Sequence, residues 1–330
     1  KIRRPGNPAD FPAGLEGSEM NHQKKSLMAV EIGGTKLQAV LGLSDGTILE
    51  RRRGQVNPEA GAEGILRWMR EQCGELLALA SAKEAVQAIG VGFGGPVESS
   101  TGRVLVSHQI EGWQNAPLKH CFEEWFHLPV AVANDANAAG WAEYCCGAGR
   151  GTRTFVYMNI GSGIGGALIV DGKLYDGQGL GACEIGHTWV PDWTSAQPGA
   201  ADKLENLCSG WAIERRIRGT MLPEPGSPLH VLCDGDAAPL SCPMLAQAAQ
   251  AGDQAALDEI GHVAEAAAMA LGNVVTLLHP ERIALGGGVA LMGDVLLKPL
   301  RSALSARIFA PFNDTVQLVA CELEEDVVVV

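Results

Sequence analysis

Three glycine-rich segments each follow a predicted strand, and their composition suits the binding of phosphate groups. They are Gly33-Gly34, Gly161–Gly166 and Gly286–Gly288. Glycine can adopt positive φ and lets the backbone approach a ligand closely, so the N–H groups of such loops can point at phosphate oxygens. The pattern predicts a nucleotide cradle, although each cluster taken singly is equally typical of a tight turn. The sequence lacks the GKS or GKT of a P-loop, and Gly161-Ser162-Gly163 leads into a strand, unlike a dinucleotide-binding loop.

An aspartate lies at the start of a predicted helix, where it could act on a substrate. Asp135 follows the apolar strand Val130–Val132, and the helix is predicted over Asn134–Gly147. At such a strand-to-helix corner a carboxylate can reach into a cleft and accept the proton of a hydroxyl that attacks a phosphoryl group. Either Asn134 or Asp135 could be the N-cap of this helix, so a capping role is open for Asp135 beside the catalytic one.

The elements that carry the first two glycine loops are predicted to occur twice. In the first copy a strand, a glycine loop, a strand, an Asp-Gly turn and a strand occupy Leu27–Ile32, Gly33–Lys36, Leu37–Leu43, Asp45-Gly46 and Thr47–Leu49. In the second copy the same features occupy Phe155–Ile160, Gly161–Gly166, Ala167–Val170, Asp171-Gly172 and Lys173–Tyr175. A series of features repeated in this order indicates two similar lobes that face each other.

Helices and strands alternate through the remainder of the chain. Apolar periodicity predicts helices over Ala62–Leu79, around Cys208–Arg218 and over Ala255–Leu278, and strands over Ala88–Phe93, Arg282–Leu285 and Val327–Val330. The alternation is typical of an α/β fold with a sheet in each lobe and ligands at the strand ends. We expect a tail over residues 1–26, an N-terminal lobe over 27–133 and a C-terminal lobe over 134–330 that lacks a closing C-terminal helix.

The charge and cysteine content exclude several classes of protein. The chain has 25 Lys and Arg against 38 Asp and Glu, a net charge of −13, which would repel a nucleic-acid backbone. Its nine cysteines form no CxxC pair, which favours reduced thiols over a disulfide framework or a zinc cage. The sequence contains neither an apolar run long enough to span a membrane nor a signal-peptide pattern. We therefore expect a cytoplasmic protein that binds neither nucleic acid nor a membrane.

Five motifs occur in order between Met28 and Val330. They are Ala29-Val30-Glu31-Ile32-Gly33-Gly34-Thr35-Lys36, Val132-Ala133-Asn134-Asp135-Ala136-Asn137-Ala138-Ala139, Gly161-Ser162-Gly163-Ile164-Gly165-Gly166, Glu184-Ile185-Gly186-His187 and Gly286-Gly287-Gly288. Together they resemble the motifs of the ROK family of sugar kinases and sugar-sensing repressors. The resemblance implies a two-lobed, actin-like and ribonuclease-H-like fold in which ATP and a sugar meet in the cleft between the lobes. It also suggests a homodimer.

The resemblance further implies a role for individual residues. Asp135 corresponds to the general base, and the sugar is expected to contact Gly94, Gly95, Asn134, Asp135, Glu184, His187 and Glu205. ATP is expected to contact Gly33, Gly34, Thr35, Lys36, Gly161, Ser162, Gly163, Gly286, Gly287 and Gly288, with Mg²⁺ held through the phosphates near Glu31. Carboxylate, amide and imidazole groups suit a polyol because each hydroxyl both donates and accepts a hydrogen bond.

Some of these residues have other interpretations when they are taken singly. Glu184 and His187, three residues apart, could form a surface pair or half of a metal site. Lys36 could point to solvent, and Gly94-Gly95 could serve only as a turn. These alternatives are open in the sequence.

The sequence departs from the family pattern at two places. Many relatives carry a CxCGxxGCxE segment that binds structural zinc, whereas Gln197–Glu205 contains no cysteine, so we expect no zinc. Packing, for example through Trp189 and Trp193, would then order this loop. Glu31 stands where most relatives have Asp, and its longer side chain can still reach Mg²⁺ directly or through water.

These observations lead to one functional hypothesis and several alternatives. The hypothesis is an ATP-dependent kinase that uses Mg²⁺ and phosphorylates the primary 6-hydroxyl of glucose or a related hexose. The sugar could instead be N-acetylglucosamine, N-acetylmannosamine or fructose, and the donor could be polyphosphate. A repressor core is disfavoured because the residues before the first glycine loop lack helical periodicity. A catalytically inactive sugar binder is disfavoured by the presence of Asp135.

Overall fold

The computed structural model describes residues 24–79, 85–107 and 110–330. Most of the tail expected over residues 1–26 therefore lies outside the described residues. Its last residue, Ser26, is buried and is the first residue of the strand predicted over Leu27–Ile32, which therefore begins one residue earlier than predicted.

The first half of the chain forms a five-stranded sheet. Its strands and helices are β1 (Ser26–Ile32), β2 (Lys36–Leu43), β3 (Ile48–Gln55), α1 (Gly61–Leu79), β4 (Ile89–Phe93), β5 (Val97–Glu98), β6 (Arg103–Val104), α2 (Leu118–Phe126) and β7 (Val130–Asn134). The strand order in the sheet is β3-β2-β1-β4-β7. Burial alternates along β1, so that Met28, Val30 and Ile32 pack in one core with Ile65 and Met69 of α1.

The second half forms a sheet of the same topology. Its elements are α3 (Asp135–Cys146), β8 (Thr154–Ile160), β9 (Ile164–Val170), β10 (Lys173–Leu174), β11 (Trp189–Pro191), β12 (Ala201–Lys203), α4 (Leu204–Cys208), α5 (Gly210–Thr220), α6 (Pro228–Leu232), α7 (Cys242–Gln250), α8 (Gln254–Leu278), β13 (Arg282–Gly286), α9 (Asp294–Ser305) and β14 (Gln317–Ala320). The strand order is β10-β9-β8-β13-β14.

The two sheets correspond strand by strand, which confirms the predicted duplication. In each sheet the first strand pairs antiparallel with its hairpin partner and parallel with a later strand: β1 with β2 and β4, and β8 with β9 and β13. Parallel neighbours bring their carboxyl ends to one edge of a sheet. The loops that follow β1, β4, β8 and β13 are therefore gathered at corresponding edges of the two lobes.

The helix predicted around Cys208–Arg218 is confirmed as α5, which begins two residues later, at Gly210. A separate short helix, α4, ends at Cys208, because Ser209 between them has extended backbone with φ −66° and ψ 156°. The break turns α4 away from α5, and α4 carries Glu205.

The strand predicted over Val327–Val330 is wrong. The N–H groups of Val329 and Val330 donate to the carbonyl of Asp326 at 2.9 and 3.1 Å, so the segment turns on itself and joins no ladder. The side chains of Val328 and Val330 line an apolar groove of about 830 Å³ between the first sheet and α3. None of the predicted site residues lines this groove.

Helix α8 is the one helix in the described part of the chain whose length and composition would allow it to cross a membrane. The most apolar part of α8 is 56% buried inside the protein. Leu271 and Val275 of α8 are fully buried in the core of the second lobe. A core helix of a globular protein meets the same criteria.

Candidate active site

The junction between β7 and α3 positions the predicted base. Asn134 caps α3: its Oδ1 accepts the N–H groups of Ala136 and Asn137 at 2.9 and 3.3 Å. Its Nδ2 donates to the carbonyl of Gly95 at 3.1 Å, which ties the cap to the neighbouring strand end. Asp135 is the first residue of the helix, so the interpretation of Asp135 as the N-cap is wrong. Its Oδ1 accepts the N–H of Ala136 at 2.8 Å.

The Asp135 carboxylate lies partly buried between the two lobes. A Cβ atom on Gly94 would be 3.5 Å from Asp135 Oδ2, so the backbone of the first lobe lies in close proximity to this oxygen. Burial raises the pKa of Asp135 to about 6, the N–H of Ala136 lowers it in part, and the negative charges of Glu31 and Glu184 raise it further. The fold therefore brings Asp135 within electrostatic reach of two other predicted site residues, one from each half of the chain.

The first glycine loop joins β1 to β2 next to this carboxylate. The N–H of Gly33 donates to the carbonyl of Lys36 at 3.0 Å, and that of Gly94 donates to the carbonyl of Ile32 at 2.9 Å. A Cβ atom on Gly33 would lie only 3.1 Å from the Lys36 oxygen. Gly33 does not adopt a positive φ, so the predicted reason for glycine is wrong at this position and close packing replaces it. Thr35 is exposed at the tip of the loop.

Glu31 is held in place by two neighbours on β2. Its Oε2 accepts a hydrogen bond from Gln38 Nε2 at 2.6 Å and forms an ion pair with Lys36 Nζ at 3.2 Å. Gln38 is fully buried, and its Oε1 accepts a hydrogen bond from Arg53 Nε at 3.3 Å. The Lys36 ammonium thus points to Glu31 at the site. The sequence signal for Gln38 is a polar side chain within the otherwise apolar predicted strand Leu37–Leu43.

The second and third glycine loops meet at the N-terminus of α5. The N–H of Gly210 donates to the carbonyl of Gly161 at 2.7 Å, and the N–H of Val289 donates to the carbonyl of Ile160 at 2.9 Å. Gly287 has φ +85°, and a Cβ atom there would lie 2.5 Å from the Ile160 oxygen. Glycine is therefore required at Gly287 both by its backbone conformation and by the close approach of the loops. A helix N-terminus beside turned loops favours anionic groups.

The remaining predicted cradle residues have different surroundings. Ser162 and Gly288 are exposed at the tips of their loops, and a Cβ atom on Gly288 would meet open space. Gly286 is buried, and a Cβ atom there would lie 2.8 Å from Cys321 Sγ and 3.0 Å from Tyr157 Oη. The packing of β13 against its neighbours is sufficient reason for glycine at Gly286.

The predicted sugar-binding residues of the second lobe lie on short elements after β9. Glu205 on α4 accepts the N–H of Ile164 at 2.7 Å through its Oε2, and a Cβ atom on Gly163 would lie 2.7 Å from the same oxygen. His187 ends the 3-10 helix Ile185–His187, is exposed, and has its Nδ1 3.2 Å from Lys203 Nζ. Glu205 therefore links α4 to the second glycine loop.

Sequence reasoning missed the contact that joins this loop to the predicted base. Asn159 Oδ1 accepts the N–H of Gly165 at 3.0 Å, and a Cβ atom on Gly165 would lie 2.7 Å from Ala136 Cβ. In the sequence, Gly165 is one of several glycines in the second glycine loop. Its small size lets β9 pack directly on the first turn of α3, beside Asp135.

The two sheets of matching strand order, with glycine loops at corresponding edges, define a two-lobed protein of the actin-like class. A sequence profile of the ROK family matches residues 27–329, and the chain belongs to this family. The family resemblance and the expected fold class are both confirmed.

Individual relatives include enzymes and regulators. The chain is 32% identical to a glucokinase from Thermotoga maritima, covering 92% of this chain and 94% of that protein. It is 26% identical to a xylose repressor from Caldicellulosiruptor bescii, covering 88% and 73%. Among solved structures it resembles a ROK family glucokinase from Streptomyces griseus in complex with glucose and AMPPNP, with 31% identity, a TM-score of 0.75 and coverage of 92% and 96%.

Proposed function

We propose that this protein is an ATP-dependent sugar kinase that phosphorylates the 6-hydroxyl of glucose or a related hexose, with Asp135 as general base. The observation that carries the proposal is the position of the Asp135 carboxyl at the start of α3, together with its raised pKa. Asn134 caps α3, Asp135 Oδ2 lies beside Gly94 of the other lobe, and burial raises the pKa of the carboxyl to about 6. A base with a pKa near the working pH is effective in proton transfer. The glucokinase relatives support the same reaction class.

In this mechanism the two lobes hold the two substrates on either side of Asp135. Asp135 accepts the proton of the sugar hydroxyl while the hydroxyl oxygen attacks the γ-phosphorus, and the bond from that phosphorus to the oxygen bridging to ADP breaks. Backbone N–H groups of the glycine loops and the N-terminus of α5 hold the phosphates. Closure of the lobes excludes water that would otherwise hydrolyse ATP.

Glu31 suits a magnesium ion that is bound to the phosphates. Magnesium prefers hard oxygen ligands and usually keeps several waters, so one carboxylate held by Gln38 and Lys36 fits it. When bound, the ion neutralises negative charge on the phosphates. Gln38 and Lys36 keep the longer Glu31 side chain in one position.

The sugar would be held from both lobes by polar groups. Glu184, His187 and Glu205 lie on the second lobe, and Asn134 keeps one amide N–H beyond the hydrogen bond it gives to Gly95. The xylose repressor among the relatives favours sugar binding without catalysis as the alternative function. The raised pKa of Asp135, which a binding protein does not need, favours the enzyme.

The function can be tested with the purified chain, ATP, Mg²⁺ and a panel of sugars. ADP release should be fastest with glucose or with one of N-acetylglucosamine, N-acetylmannosamine and fructose, and mass spectrometry should find the phosphorylated sugar. The 6-deoxy analogue of the best sugar should inhibit competitively without turnover. Turnover of the 6-deoxy analogue would contradict 6-phosphorylation, and sugar binding without ADP release would favour the repressor-like alternative. A parallel assay in which polyphosphate replaces ATP tests which of the two is the phosphoryl donor.

The pH dependence should follow the Asp135 carboxyl. The pKa is about 6 in the folded protein, so the basic form is lost as the pH falls through 6, and kcat/KM for the sugar should fall about tenfold per pH unit below it. The measurement is kcat/KM between pH 4.5 and 8.5 at saturating ATP, values chosen to bracket this pKa. Glu184→Gln removes a charge that raises the pKa and should move the midpoint to lower pH. A profile that is flat through pH 6 would contradict the assignment.

A further inference from the structure

The loop between β11 and β12 contains no set of side chains that fits a structural zinc ion. Asp192 is the carboxylate that begins the loop, and its Oδ1 accepts hydrogen bonds from Thr194 N at 2.8 Å and Thr194 Oγ1 at 2.6 Å. The thiol of Cys208 is buried and donates to the carbonyl of Val263 at 3.9 Å. Within residues 24–79, 85–107 and 110–330, no three His, Cys, Asp or Glu side chains are grouped to hold a metal. The donors therefore do not match a tetrahedral zinc site.

A tryptophan of the same loop packs on two helices instead. The Trp193 ring stacks on the His262 ring of α8, with centroids 5.7 Å apart and an interplanar angle of 24°. The guanidinium carbon of Arg216, on α5, lies 5.0 Å from the centre of the Trp193 ring. A guanidinium over an indole face is a favourable cation–π arrangement. Trp189, the other tryptophan expected to order the loop, is 65% exposed.

Arg216 connects this tryptophan to the helix that carries Glu205. Its Nε donates to Glu259 Oε1 at 2.8 Å, its Nη2 donates to the same oxygen, and its Nη1 donates to the carbonyl of Leu207 at 2.8 Å. The Arg216 and Glu259 side chains are only 13% and 9% exposed. Leu207 lies on α4, two residues after Glu205. A planar guanidinium with three fixed partners holds its position more rigidly than a lone surface ion pair.

We propose that Trp193, Arg216 and Glu259 form a metal-free clasp that positions the sugar-binding residues of the second lobe. The clasp fixes one end of α4 through Leu207, and α4 sets the position of Glu205. It also fixes the loop that precedes β12, where Lys203 contacts His187. The clasp residues are positioning residues, and their effect on the sugar rests on the proposed function.

The test compares Trp193→Ala with a matched substitution of another tryptophan that lies under a guanidinium. Trp193→Ala should raise the KM of the best sugar about tenfold and change kcat less than about threefold, because loosely held sugar contacts weaken ground state and transition state alike. Trp193→Phe keeps an aromatic face for Arg216 and should recover most of the affinity. The control is Trp125→Ala: Trp125 also lies under a guanidinium, that of Arg70 at 5.8 Å, but on α2, a helix of the first lobe that carries none of the proposed binding residues. It should leave the KM unchanged.

Limited proteolysis of the 192–200 loop gives a readout that does not depend on activity. Trp193→Ala should be cut in this loop at least about tenfold faster than the wild type and Trp125→Ala, because the loop opens more often without the clasp. Equal cleavage rates, or equal KM values for the Trp193→Ala and Trp125→Ala variants, would overturn the proposal. If the wild type phosphorylates no sugar, the proposed function fails, and the cleavage rates still decide whether the clasp orders the loop.

The metal content provides the second arm of the test. Elemental analysis of the purified wild type should find well under one zinc per chain, and EDTA followed by restored Mg²⁺ should leave the sugar KM and the loop cleavage rate unchanged. One bound zinc per chain, with loop cleavage that accelerates after EDTA, would overturn the metal-free clasp.

Discussion

Asp135→Asn should lower kcat about a thousandfold, because an amide cannot accept the proton of the attacking hydroxyl. The substitution keeps the shape of the side chain, and α3 keeps its cap because Asn134 provides it. Sugar affinity should therefore change only a few-fold. Steady-state ADP release gives kcat, and calorimetric titration with the sugar gives the affinity. A variant that retained most of the turnover would contradict the assignment of the base.

The same variant should be more stable than the wild type at alkaline pH. The pKa of Asp135 is raised from 3.8 to about 6 in the folded protein, so ionisation above pH 6 opposes folding. Removing the charge should raise the free energy of unfolding by up to about 3 kcal/mol at pH 8, and the gain should vanish below pH 4, where both states are protonated. Urea unfolding at the two pH values checks this. Asp171→Asn is the control, since Asp171 is an exposed partner of Arg153.

An inactive but stabilised Asp135→Asn variant would separate catalysis from folding. If the activity were lost through misfolding, kcat and the free energy of unfolding would fall together. A buried charge that opposes folding at a functional carboxylate is a common reason for a trade-off between activity and stability. The burial of Asp135 is thus evidence about function, because a structural residue at this position would gain from being neutral.

The sequence was informative where a local pattern determines the structure. The repeated hairpins predicted the two matching sheets because strand alternation and Asp-Gly turns are short-range signals. The Asn134-Asp135 pair at a strand-to-helix corner predicted a capped helix, and the structure adds that Asn134 is the cap. The glycine loops were predicted at the correct places in the chain. At Gly33 and Gly286, however, glycine is favoured because neighbouring atoms leave little room for a side chain, and not because the backbone has a positive φ.

Contacts between distant segments could not be predicted from the sequence. Arg216 and Glu259 lie on different helices, and no local pattern shows that one guanidinium joins Trp193, Glu259 and the Leu207 carbonyl. The end of the chain is a second case. Four valines in a row favour a strand, but the N–H groups of Val329 and Val330 donate to the carbonyl of Asp326, so the segment turns there and pairs with no strand.

The segment after β14 is held to the rest of the molecule by a buried carboxylate on α3. Glu143 is fully buried. Its Oε2 accepts the N–H of Ala148 at 2.7 Å, and its Oε1 accepts those of Glu322 and Leu323 at 3.0 and 2.8 Å. Each of these backbone groups would lose its partner if the carboxylate were removed. Arg51 of β3 adds an ion pair to Asp326 at 2.6 Å, so the same segment also contacts the first lobe.

Glu143→Ala should therefore lower the free energy of unfolding by about 3 to 5 kcal/mol, because it leaves one buried and two partly buried N–H groups unpaired. Glu143→Gln keeps one acceptor oxygen, so the free energy of unfolding should fall by about half as much. Urea denaturation at pH 7.5 measures both. The control is Glu322→Gln on the segment itself, which removes only an exposed ion pair with Arg150 and should change stability by less than about 1 kcal/mol. Equal losses for Glu143→Ala and Glu322→Gln would mean that the buried carboxylate does not hold the end of the chain.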